Sequence, residues 1–475
     1  MRSKLQQVGL IALGACLGVM ISLNFSAVAQ REVLAPLPVE ELRAFTEVFG
    51  RIKSDYVEPV ADKKLITEAI TGMVAGLDPH SSYLDADAFR ELQVGTQGEF
   101  GGLGIEVGME DGYVKVVSPI DDSPAARANI KPGDLIIKLD DSSVKGMTLN
   151  DAVKRMRGKP NTKITLTIAR KGDSKPIIVT LTRAVIKIQS VKSKMIEPGY
   201  AYFRVTQFQE QTGEMLAKAV EAAFRENRGA MRGIVLDLRN DPGGLLNGAV
   251  AVSAAFLPQN SLVVYTDGRT DDAKMRLTAS PEHYLRGRLK DDYLSKLPAE
   301  VKKVPMVVLV NSGSASASEI VAGALQDHKR AVIMGTQTFG KGSVQTILPL
   351  GNSTAIKLTT ARYYTPNGRS IQAKGIVPDI TLDDGSGGRA EPGFKLREAD
   401  LTKHLTNERG DEKGADKVAA PTTNAFNFTP ATRPKNVDEK DLKPEPGEIV
   451  AKSDYELSQA VAFLKSRNTA RVSAN

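Results

Sequence analysis

Four serines at every second position, Ser312, Ser314, Ser316 and Ser318, occupy the stretch NSGSASASE between the apolar run VPMVVLV and a helix-like segment. A strand, tight turn and helix in that order can present a serine hydroxyl at a helix N-terminus. There, free N–H groups and the helix dipole favour a developing oxyanion. The usual proton acceptor is scarce, since histidine occurs only 4 times in the chain. The spacing also allows a purely structural reading. Ser316-Ala317-Ser318-Glu319 is a capping box, in which Ser316 caps the helix that follows it.

A different base lies downstream in TFGKGSVQ, where Lys341 sits between Gly340 and Gly342 and Gln345 follows four residues later. Lysine serves as a general base only where desolvation lowers its pKa by several units. Flanking glycines let the backbone carry the amine into a packed site. Gln345 can orient it without adding the negative charge that would keep it protonated. Viewed alone, Lys341 also reads as an exposed turn lysine. His328 lies about three turns into the helix after Ser316, ~18 Å along its axis at a rise of ~1.5 Å per residue, too far for direct proton transfer. His80 reads as a turn or packing residue, and His283 and His404 fall in polar segments.

The elements needed to position these groups are legible as alternating strands and helices between residues 187 and 384. RGIVLDLRNDPGGLLNGAVAVSAAFL is a buried strand, a Gly-rich turn and a helix; VPMVVLVNSGSASASEIVAGALQDH repeats the plan, and RAVIMG is a third apolar strand. This pattern predicts an α/β core with parallel strands. The polar, basic stretch 262–300 suits a cap. TAIKLTTARYYTPNGRSI reads as extended segments joined by a Pro-Asn-Gly turn.

Upstream, VEELRAFTEVFGRIKSDY and KKLITEAITGMVAGL carry helical apolar spacing, so residues 36–95 are expected to be helical, a packing or dimerisation domain. Residues 97–186 change to a glycine-rich loop, strands, and an amphipathic helix TLNDAVKRMRG with Thr148 as N-cap. Their order resembles a PDZ domain of α+β type, with Gly101-Gly102-Leu103-Gly104 matching that family's carboxylate-binding loop. Successive backbone N–H groups there form a nest for a terminal carboxylate, and the neighbouring edge strand accepts a peptide by β-augmentation.

The N-terminus has a short basic region, MRSK, an apolar run from Val8 to Leu23, and Ala27-Val28-Ala29 as an A-x-A cleavage site. Export is expected, by a cleaved signal peptide or by an uncleaved anchor attached to the inner membrane. Cys16 is the only cysteine, so no zinc or iron–sulfur set is available, and the diffuse formal charge of +7 does not describe a nucleic-acid protein. The expected organisation is a signal or anchor (1–29), a helical dimerisation domain (30–96), a PDZ domain (97–186), a catalytic core with cap (187–384), a disordered linker (385–447) and a C-terminal helix (448–475).

The stretch from Asn311 to Gln345 resembles the catalytic region of the carboxyl-terminal processing peptidases, serine proteases with a Ser-Lys dyad assisted by Gln. GLDPHSSYL, TTARYYTPNGRSIQAKGIVPDI and the Asp237–Gly244 turn, DLRNDPGG, extend the resemblance over roughly residues 36–384. It implies a Clp protease/crotonase-like core with the PDZ domain inserted ahead of it. Ser316 becomes the nucleophile, Lys341 the base and Gln345 its assistant. The N–H groups of Ala317 and of a glycine in the turn, Gly243 in preference to Gly244, make the oxyanion hole. The implied substrates are envelope or periplasmic proteins with apolar C-termini, cleaved without metal or organic cofactor, with a homo-oligomer and an adaptor protein as expected partners. A PDZ-based scaffold whose protease core stays latent until a partner realigns it is the competing reading.

Overall fold

The computed structural model describes residues 38–383, 396–407, 426, 428–434, 437, 441 and 448–472, except 121, 122, 174, 286 and 288–290. The expected signal or anchor, Cys16 and most of the expected linker lie outside the described residues. The chain divides into two compact units at Ile70/Thr71.

In the first unit, α1 (Val39–Asp55) buries no side chain, and Leu42, Phe45, Val48 and Ile52 form an exposed apolar stripe along it. Helix α2 (Asp62–Ala75) begins in this unit.

The second unit opens with β1 (Ser82–Leu84), a short strand where helix was expected, and α3 (Ala86–Gln97), capped by Asp85. The PDZ segment follows. Strand β2 (Glu99–Gly102) pairs with β9 (Ala184–Lys187). Strands β3 (Ile105–Glu110), β4 (Tyr113–Pro119), β5 (Leu135–Leu139), β6 (Ser142–Ser143), β7 (Lys163–Ala169) and β8 (Ile177–Thr182) make a six-stranded antiparallel sheet in the order β3-β4-β5-β7-β8, with β6 on β5. Helices α4 (Pro124–Arg127) and α5 (Leu149–Met156) complete it. Thr148 caps α5 as expected, its Oγ1 accepting from Asp151 N at 3.1 Å.

The core sheet runs β10 (Val191–Glu197), β11 (Tyr200–Val205), β12 (Gly233–Asp237), β15 (Met306–Val310), β16 (Val332–Gly335), β19 (Ile380–Thr381); only β10 is antiparallel to its neighbour. Strands β12 and β15 are buried at every residue, which their unbroken apolar runs require of a sheet covered on both faces. Helices α6 (Thr212–Glu226), α7 (Leu246–Phe256) and α9 (Ala317–Asp327) belong to the main apolar core on one face. The stretch read as a cap instead contributes β13 (Leu262–Gly268), β14 (Arg276–Thr278) and the short α8 (Pro281–Tyr284). Strands β13 and β14 join β1, β17 (Ser343–Pro349) and β18 (Ala355–Tyr364) in a second sheet.

The other face of the core sheet is covered by α10 (Tyr455–Val472), whose Leu457, Val461, Phe463 and Leu464 bury against Tyr202, Val235, Val307 and Leu309. At ~1.5–3 kcal/mol per buried side chain, those four supply roughly 6–12 kcal/mol of gross stabilisation. Residues 396–407, expected within the disordered linker, fold onto the core. Their polar sequence lacks periodicity because hydrogen bonds, not an apolar stripe, hold them.

Candidate active site

Three neighbouring parallel strands deliver the site from their C-terminal ends, the usual place for a site in such a sheet. Strand β12 leads into DLRNDPGG, β15 into NSGSASAS and β16 into the loop carrying Lys341. The first two loops are stitched together by the serines flanking Ser316. Ser314 Oγ donates to Leu238 O at 2.7 Å and Ser318 Oγ to Asp241 O at 2.9 Å, while Ala315 N donates to Asp241 O at 3.0 Å. Both hydroxyls are wholly buried in these bonds, whereas Ser316 stays partly exposed.

Ser316 sits immediately before α9 with φ 55° and ψ −112°, a backbone conformation that L-residues rarely adopt. Its N–H donates to Glu319 Oε2 at 2.8 Å, so the capping box foreseen from S-x-x-E helps hold Ser316 in place. Glu319 does more than cap. Its wholly buried carboxyl also accepts from Lys341 N (2.9 Å), Gly340 N (2.7 Å) and Thr338 Oγ1 (2.6 Å). One side chain thus ties the serine turn to the lysine loop. Burial pushes its pKa up to about 7 against the pull of these four bonds.

Lys341 is half-buried, and burial lowers its pKa to about 8, with the nearby Lys357 charge adding to the effect; Glu398, Glu319 and Asp78 pull the other way. Among the described residues its ammonium makes no hydrogen bond or ion pair. Tyr363, buried on β18, donates its hydroxyl to Lys341 O and lies beside Ser316. Gln345 is turned elsewhere: Nε2 donates to Ser343 Oγ at 3.0 Å and Thr359 Oγ1 at 3.1 Å.

In the Asp237–Gly244 turn, Gly243 has φ +98° and packs directly on Ser316. A Cβ there would lie 2.8 Å from Ser316 Cβ and 2.8 Å from Ala317 N. Its own N–H, however, donates to Asp241 Oδ1 at 2.8 Å. The N–H groups of Gly244 and Ala317 have no acceptor among the described residues. Asp241 is itself wholly buried, its Oδ2 has no hydrogen-bond partner among the described residues, and burial pushes its pKa up to about 7.

At the PDZ end, Gly101 and Gly102 belong to β2, and Gly158 N donates to Gly101 O at 3.0 Å. Leu103 is buried in the PDZ core, and Gly104 O accepts from Ile120 N at 2.8 Å. The N–H groups of Leu103 and Gly104 have no acceptor among the described residues. Strand β3, which follows, pairs on one side only, and Ile105 and Val107 on it and Leu149 and Val153 on α5 are half-buried apolar groups against one core. That is the arrangement peptide addition at a sheet edge requires.

Comparison with known proteins agrees with this architecture. Family models described as Peptidase family S41, PDZ domain and Activating protease CtpB N-terminal domain match residues 199–382, 101–181 and 22–88. The carboxy-terminal-processing protease of Bartonella bacilliformis is 46% identical over 383 residues, 80% of this chain and 84% of the relative. The chain belongs to the carboxy-terminal-processing peptidases. A probable CtpA-like serine protease of Staphylococcus aureus is 36% identical over 72% of this chain and 65% of its own length. A solved photosystem II D1 C-terminal processing protease is 30% identical over 71% of this chain and 86% of its own, with a TM-score of 0.40.

As a carboxy-terminal-processing peptidase, the protein is a protease that carries a PDZ domain. Its site includes groups that sequence reasoning passed over. Glu319 was visible, but only as a cap. Thr338 and Tyr363 lie within the resembling stretches without a local signal of their role. His80, read as a turn residue, places Nε2 2.8 Å from buried Glu398. His328 Nε2 bonds Leu262 O at 2.7 Å and takes no part in the site. Among the described residues no group of acidic, histidine or cysteine side chains could hold a metal ion.

Proposed function

We propose that the protein is an exported serine endopeptidase in which Ser316 attacks the peptide carbonyl and neutral Lys341 takes its proton. The observation that carries this reading is the Glu319 carboxyl, which binds Ser316 N and Lys341 N together and so holds the two loops side by side. The lowered Lys341 pKa supports it, because an appreciable neutral fraction exists near pH 7. Attack forms the Ser316 Oγ–carbon bond, and the carbonyl oxygen gains negative charge at the N–H groups of Ala317 and Gly244, the two donors free of other acceptors. Gly243, preferred from sequence, can contribute once its N–H leaves Asp241. The Lys341 ammonium returns its proton to the leaving amine, and water then hydrolyses the acyl-enzyme. Gln345 orients the Lys341 amine in the active arrangement.

The PDZ groove takes the substrate's apolar C-terminus as an added strand on β3. The substrates are envelope proteins of the periplasm, to which the N-terminal residues direct the chain, soluble or attached to the inner membrane. The apolar stripe on α1 supports a homo-oligomer.

A second reading is favoured by one observation: Gln345 faces Ser343 and Thr359, and Gly243 N is occupied by Asp241. Such a resting arrangement suits a latent protease that binds through its PDZ domain until an adaptor or substrate realigns the site. The test is hydrolysis of an unstructured polypeptide with an apolar C-terminus, with and without envelope extract. Activity abolished by Ser316→Ala and by Lys341→Ala is expected, and cleavage surviving either change overturns the dyad. Cleavage that appears only with extract selects the latent reading.

A further inference from the structure

The matched peptidase segment ends at residue 382, yet the site does not. Glu398, at the start of a short turn in 396–407, donates its N–H to Phe339 O at 3.1 Å, beside the lysine loop. Its carboxylate is wholly buried between two partners: Oε2 lies 2.8 Å from His80 Nε2 and Oε1 2.9 Å from Gln372 Nε2. Gln372, also wholly buried, turns Oε1 to Gly342 N at 2.9 Å, the residue after Lys341. Gly342 approaches so closely that a Cβ there would lie 2.4 Å from Gln372 N. Leu405 O and Asn407 Nδ2 bind the same Gln372, at 3.1 Å and 2.7 Å. Glu319 holds the N–H groups of Gly340 and Lys341, so three consecutive amides around the lysine are fixed by two buried carboxyl systems.

The histidine arrives from LDPHSS, whose own Asp78 accepts from His80 N (2.8 Å), Ser81 N (2.9 Å), Ser81 Oγ (2.6 Å) and Thr359 Oγ1 (3.1 Å). Thr359 in turn accepts from Gln345. A segment before the PDZ domain and one after the peptidase core therefore meet on the lysine loop.

We propose that Glu398, with His80 and Gln372, is a positioning brace that holds Lys341 for proton transfer, making residues 396–407 part of the active centre. The inference rests on reading Lys341 as the general base. A buried base lysine is pushed toward its neutral form by desolvation and by Lys357; the Glu398, Glu319 and Asp78 carboxylates oppose that push. The brace thus fixes the backbone and supplies one of the three opposing charges.

The test compares pH profiles of kcat/KM for peptide hydrolysis by full-length wild type, Glu398→Gln and Lys357→Gln. Glu398→Gln keeps the shape and removes one charge, so the rising limb moves to lower pH by roughly half a unit. Its plateau falls several-fold as the loop loosens. Lys357→Gln moves the limb the other way. A limb that Lys357→Gln shifts and Glu398→Gln does not overturns the brace but leaves the base intact. A limb that neither moves overturns the base assignment and the brace with it. Should Glu398→Gln fail to fold, His80→Gln at a side chain 16% exposed reads the same brace. A several-fold lower kcat at unchanged KM supports it, and an unchanged kcat overturns it.

Discussion

Replacing Arg239 with methionine should loosen the C-terminal helix far more than removing any exposed ion pair. Arg239 is 9% exposed and bonds Asp237 at 3.0 Å (Nε) and 2.7 Å (Nη2), Asp454 at 3.0 Å and 2.7 Å, and also Glu456. Burial alone would raise the Asp237 pKa; the charge and hydrogen bonds of Arg239 overcome it and hold the carboxyl below its usual value. Methionine leaves three carboxylates at a cavity whose other cations are Arg204, 3.8 Å from Asp237, and Arg433, which among the described residues is bonded to none of the three. Stranding buried charge in this way costs about 3–5 kcal/mol. Lys194→Met breaks the exposed pair with Glu448 on the same C-terminal segment and should cost at most ~1 kcal/mol. Native-state hydrogen exchange at the amides of 455–464 is the assay, because it reads local opening in a multidomain chain. Exchange should accelerate by roughly two to four orders of magnitude in Arg239→Met and by less than tenfold in Lys194→Met. Adding Asp454→Asn and Glu456→Gln should recover part of the loss. Equal acceleration in the two single variants, or no recovery, would refute the account based on stranded charge. Because Arg239 lies just upstream of the Asp241–Gly244 turn, proteolysis should decline together with docking.

Three further outcomes follow from the site. With Lys341 lowered to about 8, its neutral, proton-accepting form grows as pH rises, so kcat/KM should climb nearly 100-fold between pH 6 and 9 and level off above; a flat profile excludes it as the base. Gly243→Ala places a methyl 2.7 Å from Ala315 O at φ +98°, so proteolysis should fall at least 100-fold while the fold loses only about 1–3 kcal/mol, checked by activity beside circular-dichroism melts. Val153→Asp on α5 puts a charge beside the β3 edge. It should raise KM for substrates with apolar C-termini about tenfold or more and leave cleavage of short peptides lacking that end unaltered, in steady-state assays.

The Ser316 and Lys341 loops were legible because each is local: a buried strand and a small-residue turn fall within about a dozen residues. The PDZ segment was legible for the same reason, its glycine loop and capped helix lying in a fixed order. What escaped notice is long-range and polar. His80 meets Glu398 across 318 positions, and Arg239 meets Asp454 across 215, and such pairings leave no periodicity in a sequence. Residues 396–407 read as linker because hydrogen bonds, not a repeating apolar face, hold them. Strand β1 was lost in a helical stretch because its three residues owe their conformation to Lys357, Ile356 and Ala355 across the ladder. The bond from Gly243 N to Asp241 Oδ1 was not legible either, because the motif does not specify the reach of that side chain.

The position of α10 also sets an order of events. Until residues 455–464 dock, one apolar face of the parallel sheet stays bare. Arg239, two positions before Asp241, likewise waits for Asp454 and Glu456. The segments carrying Ser316 and Lys341 therefore precede, in the order of the chain, the residues that complete the core beneath them. The sheet that presents both loops is complete only once this segment has docked on it.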